Sequence, residues 1–116
     1  MNCIFCKIVD RKIPATLLYE DANTIVIEDL HPQAEKHFLI IPKFHVPSLV
    51  ESFDDDKRGQ EIVGRLFAVG NQIAKQEGLL PAGYRSVINT GENGGQSVFH
   101  LHLHVLGGEK LGEAFA

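Results

Sequence analysis

The chain has 116 residues, 44% hydrophobic and 22% charged, which suits one globular domain (residues 1–116) that buries a core without disulfides and argues against disorder. Eleven Lys and Arg against fifteen Asp and Glu leave a net charge of -4, unsuited to an extended grip on nucleic acid but compatible with a small anionic ligand. No apolar run exceeds the four residues of Phe38 to Ile41, too short to cross a bilayer, and the N-terminal residues show no basic-then-apolar secretion pattern, so a cytoplasmic protein that engages neither membrane nor nucleic acid is expected.

Residues 3 to 9 suit a short helical turn, interrupted by Pro14. "TLLYE" (16–20) and "TIVIE" (24–28) read as strands around a turn at Asp21-Ala22-Asn23, and "HFLIIP" (37–42) as a third strand closed by a proline. From Asp54 to Gly78 the period changes. Ile62, Leu66, Val69 and Ile73 form a helical stripe, widened by Val63 and Phe67, with Asp54 to Asp56 at the end where the helix dipole favours negative charge. "YRSVIN" (84–89) is a fourth strand, and "TGENGGQ" (90–96), with three glycines, is a loop. "FHLHLHV" (99–105) is the fifth strand. The expectation is an α+β domain: an antiparallel five-stranded meander sheet with one long helix and a short N-terminal helix.

The last strand places His100, His102 and His104 on one face and Phe99, Leu101, Leu103 and Val105 on the other. Imidazoles at alternate positions lie about 6.5 to 7 Å apart along a strand, close enough to cooperate but not, from backbone spacing alone, to share one ion. A three-histidine metal site is one reading. Phosphoryl chemistry uses the flanks better: Asn89, a glycine-rich loop of backbone N–H groups and Ser97 precede the histidines, and neutral imidazole is a competent nucleophile toward phosphorus. Crowding three imidazoles also disfavours protonating them all.

"QSVFHLHLHVLGG", with "HPQAEKHFLIIPKFH" and "CIFCKIVDRKIPA" upstream, closely resembles the histidine-triad nucleotide-binding proteins over nearly the whole chain. Gly107-Gly108 after "HVL" is similar to the nucleoside phosphoramidate hydrolase branch. The resemblance implies a hydrolase that releases a purine nucleoside monophosphate from a phosphoramidate or acyl-adenylate through a covalent nucleotidyl-histidine. It makes His102 the nucleophile, sets His104, Asn89 and the loop backbone at Gly95 and Gln96 around the phosphate, and Ser97 on the leaving-group side. It places His37 as an auxiliary beside the nucleophile, and Asp29, with Leu30, at the ribose. Ile4, Phe5, Ile8 and Ile27 are its candidates for the base.

Cys3 and Cys6 form a C-x-x-C pair, which alone admits metal ligation, free thiols or a redox couple. The resemblance adds His45 and His100 as partners for a structural Zn2+, and requires no catalytic metal. It also implies a homodimer whose sheets join edge to edge and whose long helices meet. The C-terminal "EKLGEAFA" differs from the segment that shapes the leaving-group site in some relatives, so substrate preference stays open. Alternatives are a nucleotide-binding adaptor with incidental hydrolysis, a dinucleoside polyphosphate hydrolase, and a metallohydrolase with all three histidines on one ion.

Overall fold

A computed structural model describes residues 3–113, so the last three residues of the C-terminal segment and the first two of the expected domain lie outside it. The chain order is α1 (Ile4–Val9), β1 (Leu17–Glu20), β2 (Thr24–Glu28), β3 (Lys36–Pro42), α2 (Leu49–Ser52), α3 (Asp56–Gln76), β4 (Tyr84–Val87) and β5 (Leu103–Gly107). The turn between β1 and β2 is closed by Asp21, whose carboxylate accepts from the N–H groups of Asn23 (2.8 Å) and Thr24 (2.9 Å).

The five strands make one antiparallel sheet in the order β1-β2-β3-β5-β4. The first three follow one another as a meander. The crossover through α3 then carries the chain to the far edge, and β5 returns to fill the place between β3 and β4, so the last two strands depart from simple meander order.

Helix α3 begins where Asp55 caps it by accepting from Arg58 N–H (3.1 Å) and ends before Gly78, whose φ of +77° is the left-handed conformation glycine adopts without strain. Ile62, Leu66, Val69 and Ile73 pack with Val26, Phe38, Ile40, Leu101, Leu103 and Val105 on one face of the sheet. Fully buried side chains such as Leu66 contribute roughly 1.5 to 3 kcal/mol each by leaving water. The stripe is narrower than expected. Phe67 is 45% exposed, because at about 100° per residue it lies roughly 100° round the helix from the buried face. Gly70 occupies that face, and a Cβ there would stand 3.2 Å from Leu103 Cδ2, so helix and sheet approach closely. Helix α2, capped by Ser48, is too short to leave a periodic signal.

The other face carries a second core of Cys3, Phe5, Ile8, Ile25, Ile27, Leu39 and Ile41 beneath α1. β2 and β3 are therefore buried on both sides, as their near-continuous apolar sequences require. The histidines belong to this α1-covered face, since His104 pairs with Leu39 across β3 and β5.

Strand β5 starts at Leu103, later than the expected residue 99. With Leu103 opposite Ile40, Leu101 would fall opposite Pro42, which has no N–H to give a ladder. Leu101 instead donates to Val46 O (2.8 Å) beyond the strand. Leu101, Leu103 and Val105 still face the main core, but Phe99, ahead of the ladder, is 54% exposed.

Candidate active site and metal centre

The three histidines of the run have separate surroundings. His100 is fully buried, and its ring turns toward the N-terminal helix. Its Nε2–H donates to Pro42 O (2.8 Å), which leaves the Nδ1 lone pair facing Cys3 Sγ (3.3 Å), Cys6 Sγ (3.6 Å) and His45 Nδ1 (3.0 Å). His45 Nδ1 is 3.3 Å from Cys6 Sγ, and all four ligand atoms lie within 4.8 Å of one another. A tetrahedron with zinc bonds of about 2.3 Å to sulfur and 2.0 to 2.1 Å to nitrogen has edges of roughly 3.3 to 3.8 Å. The donor set and its spacing fit that ion. Burial, with the neighbouring Cys3, pushes the Cys6 thiol up to about 11, and Cys3 Sγ caps α1 by accepting from Cys6 N–H (3.3 Å).

His102 donates from Nδ1–H to the His100 carbonyl (2.7 Å), so in the neutral ring the lone pair is on Nε2. Burial lowers its pKa against the raising influence of the His100 carbonyl and Asp29, which favours this neutral form. The Phe5 ring stands edge-on to it at 5.0 Å, and the His104 ring lies 4.9 Å away.

His104, on β5, lies beside His37, on β3, with Nδ1 2.9 Å from His37 Nε2. Gln33 N–H donates to His37 Nδ1 (3.0 Å), so the proton of neutral His37 sits on Nε2 and points at His104. Burial, and then the fields of His102 and His37, hold His104 down to about 4. His37 is likewise lowered by burial, against the field of Asp29. The Asp29 carboxylate is 3.5 Å from His37 Nε2 and accepts from His31 N–H (2.8 Å). Asp29, His37 and His104 also bring three possible ligand atoms within 4.8 Å, but the Gln33 N–H makes His37 a donor there rather than a ligand. With His100 turned to the thiols, the triad does not converge on one ion.

The glycine-rich loop carries several members of the expected phosphate set in hydrogen bonds of its own. Gly95 N–H donates to Glu92 O (3.0 Å) and Gln96 N–H to Gly91 O (3.0 Å), so both groups shape the loop instead of facing a ligand. Asn89 likewise donates to Gly94 O (2.9 Å). Gly94 is required by this fold-back, since a Cβ there would come within 2.3 Å of Thr90 O. Ser97 is exposed, and among the described residues its N–H has no partner and its hydroxyl bonds no histidine. Of the base candidates, Phe5, Ile8 and Ile27 are buried in the second core and Ile4 is 42% exposed; Leu30, expected with Asp29 at the ribose, is 79% exposed.

Three contributors were missed in the sequence. The Gln33 N–H and the Pro42 carbonyl are backbone groups and leave no side-chain signal. The Gln96 side chain, 7% exposed, accepts from Gly91 N–H (2.9 Å) and donates to Pro47 O (2.7 Å) and Val98 O (3.0 Å), which fastens the loop to the segment after β3.

The family model described as "Scavenger mRNA decapping enzyme C-term binding" matches residues 2–114. The chain is 41% identical over 113 residues to the purine nucleoside phosphoramidase of Escherichia coli (strain K12), covering 97% of this chain and 92% of that protein. It superposes with a TM-score of 0.91 on a histidine triad protein from Clostridium difficile, 45% identical, with 97% of this chain and 95% of that one covered. A zinc-bound histidine triad family protein from Mycobacterium smegmatis gives 0.80 at 38% identity, covering 100% of this chain and 81% of that one. Among the described residues no helix is long and apolar enough to cross a membrane. With its three alternating histidines on the α1-covered face of this sheet, the chain belongs to the histidine-triad family.

Proposed function

We propose that the protein is a purine nucleoside phosphoramidase that works through a nucleotidyl-histidine on His102. The observation that carries this reading is the Nδ1–H of His102 held by the His100 carbonyl at 2.7 Å, which leaves Nε2 unprotonated in a buried ring. The likeness to a relative named purine nucleoside phosphoramidase supports the substrate class.

In the first step the Nε2 lone pair bonds to the α-phosphorus as the P–N bond to the leaving amine breaks. The bonding pair goes to that nitrogen, toward which the Ser97 hydroxyl donates a proton. In the second step a water oxygen bonds to phosphorus, the P–Nε2 pair returns to His102, and the water's proton restores the Ser97 hydroxyl, or leaves to solvent where Ser97 has given none up. An acyl-adenylate follows the same course, with a carboxylate departing and no proton needed. Two in-line displacements replace one harder one. His104, neutral and held by His37 at Nδ1, presents Nε2–H to a phosphate oxygen, and the free Ser97 N–H is the loop's donor. Asn89, Gly95 and Gln96 act by shaping that loop. Asp29 accepts from the ribose hydroxyls with lone pairs left over from His31, and the purine rests on Leu30 and Ile4.

Cys3, Cys6, His45 and His100 would hold a structural zinc; when bound, the ion would crosslink α1 to the active-site segment and supply no group to the reaction itself. The reading includes a cytoplasmic homodimer, supported by β4 at the sheet edge and by the exposed Phe67 on the outer face of α3. Incubation with an adenosine phosphoramidate tests the activity: AMP should appear with the wild type, and His102→Ala should still bind AMP while releasing none. AMP release by that variant at the wild-type rate would remove His102 from the chemistry.

A further inference from the structure

Helix α1 carries Cys6 and is capped by Cys3, and Phe5 lies between these two thiols of the cluster. The Phe5 ring meets two histidines edge-on: His100 at 5.8 Å and His102 at 5.0 Å, with an interplanar angle of 79° in each case. One ring therefore touches both a ligand of the cluster and the nucleophile. The Nδ1 hydrogen bond of His102 restrains its imidazole at one atom beyond the Cβ–Cγ bond, and packing against the ring faces and edges limits the tilt that remains. That packing comes from Phe5 at 5.0 Å and from His104 at 4.9 Å. At six residues α1 is far too short to be stable by itself, so Phe5 is held in place by the tethers of its own helix, namely Cys3, Cys6 and the burial of Ile8.

We propose that Phe5 is a positioning residue for the nucleophile, and that through Phe5 the Cys3/Cys6/His45/His100 cluster governs how well His102 is aimed. The proposal rests on His102 being the nucleophile. It gives the buried ring a task other than contact with the base, and it gives the metal cluster, which stands outside the chemistry, a route to the reaction rate. Misplacing a reacting group by about 1 Å can cost up to ~100-fold, so loosening α1 acts on the rate of P–N cleavage at saturating substrate and leaves nucleotide affinity nearly unchanged.

The test is a double-mutant cycle between Phe5→Leu and Cys6→Ser. Single-turnover cleavage of an adenosine phosphoramidate is measured at saturation, AMP affinity by calorimetry, and the His102 Nδ1–H by proton NMR. Each single variant should slow P–N cleavage about 10-fold, shift AMP affinity less than about twofold, and weaken protection of the His102 imidazole proton against exchange. The double variant should be no slower than the slower single, because both break one link. Phe5→Tyr, which keeps the ring edge, should retain the rate. If Phe5→Leu does not fold, Phe5→Met and wild type with and without one equivalent of zinc give the same readouts. Full-rate cleavage by the Phe5 variant, losses that multiply in the double variant, or a loss lying wholly in AMP affinity would each overturn the proposal. His102→Ala separates the two readings: turnover there removes the nucleophile assignment itself, whereas an inactive His102→Ala beside a fully active Phe5→Leu removes only the positioning role.

Discussion

His37 and His104 are joined through single nitrogens, Nε2 of one 2.9 Å from Nδ1 of the other, and a backbone N–H sets the direction of that bond. Gln33 donates to the far nitrogen of His37, so His37 is the donor and His104 the acceptor. In neutral His104 the remaining proton is then on Nε2, where a phosphate oxygen can take it as a hydrogen bond.

Replacing His37 tests this arrangement. Phe at position 37 keeps an aromatic ring but removes the donor, which frees His104 to adopt the unproductive tautomer. A buried hydrogen bond lost in this way costs on the order of 1 to 2 kcal/mol, or roughly 10-fold in kcat. Gln, whose amide can donate, should recover part of it. Steady-state kinetics of the two variants check the order; equal losses would mean that His37 only fills space.

The Gln96 side chain holds the glycine-rich loop at three points. Gln96→Leu leaves Gly91 N–H and the Pro47 carbonyl without their partner, and each such group costs about 1 to 3 kcal/mol when buried. Urea denaturation should register a loss of that size, and kcat/KM should fall about 10-fold as the loop loosens. Unchanged kcat/KM in a destabilised variant would show that loop order is not needed for turnover.

The pH dependence follows from His104. Its folded pKa is about 4, below the ordinary imidazole value, so at neutral and mildly acid pH it stays uncharged in the folded protein. As pH falls below about 6.5 the unfolded chain takes up this proton first, and stability declines until the folded state also protonates near 4. Urea midpoints should therefore rise with pH across this window. His104→Asn should reduce the slope, and an unaltered slope would contradict neutral burial of His104.

Zinc should bind at close to one ion per chain. Protein stripped with chelator should melt lower, and its melting temperature should climb with added zinc, because a ligand that binds the folded state stabilises it by mass action. Elemental analysis and thermal scans of wild type and Cys3→Ser measure this. No bound zinc, with melting indifferent to the metal, would leave the cluster as free thiols and imidazoles.

Much of the fold was legible from composition and period. Residues 24–28 show their strand in β-branched residues and the stripe from Ile62 to Ile73 shows its helix in spacing, and Asp21 and Gly78 mark turns by local chemistry. Strand order was not legible, because insertion of β5 beside β3 depends on long-range pairing. The late start of β5 had a clue in Pro42, but one readable only once the register was known. In the site, alternation predicted a shared face for the histidines, whereas their division of labour depends on backbone partners. The Pro42 and His100 carbonyls and the Gln33 N–H decide which nitrogen of each ring is free. Fold-back within the loop, which engages the Gly95 and Gln96 N–H groups with Glu92 O and Gly91 O, likewise left no signal in the sequence.

The central claim is a covalent bond between His102 Nε2 and phosphorus. Mixing the protein with an excess of an adenosine phosphoramidate, quenching within the first turnover and digesting under conditions that preserve phosphoramidates gives the most direct test by mass spectrometry. The account predicts one added adenylyl group on the peptide carrying His102, absent in His102→Ala and lost with time as AMP forms. Wild-type turnover with no adduct at any time, or an adduct on another residue that forms equally in His102→Ala, would contradict it.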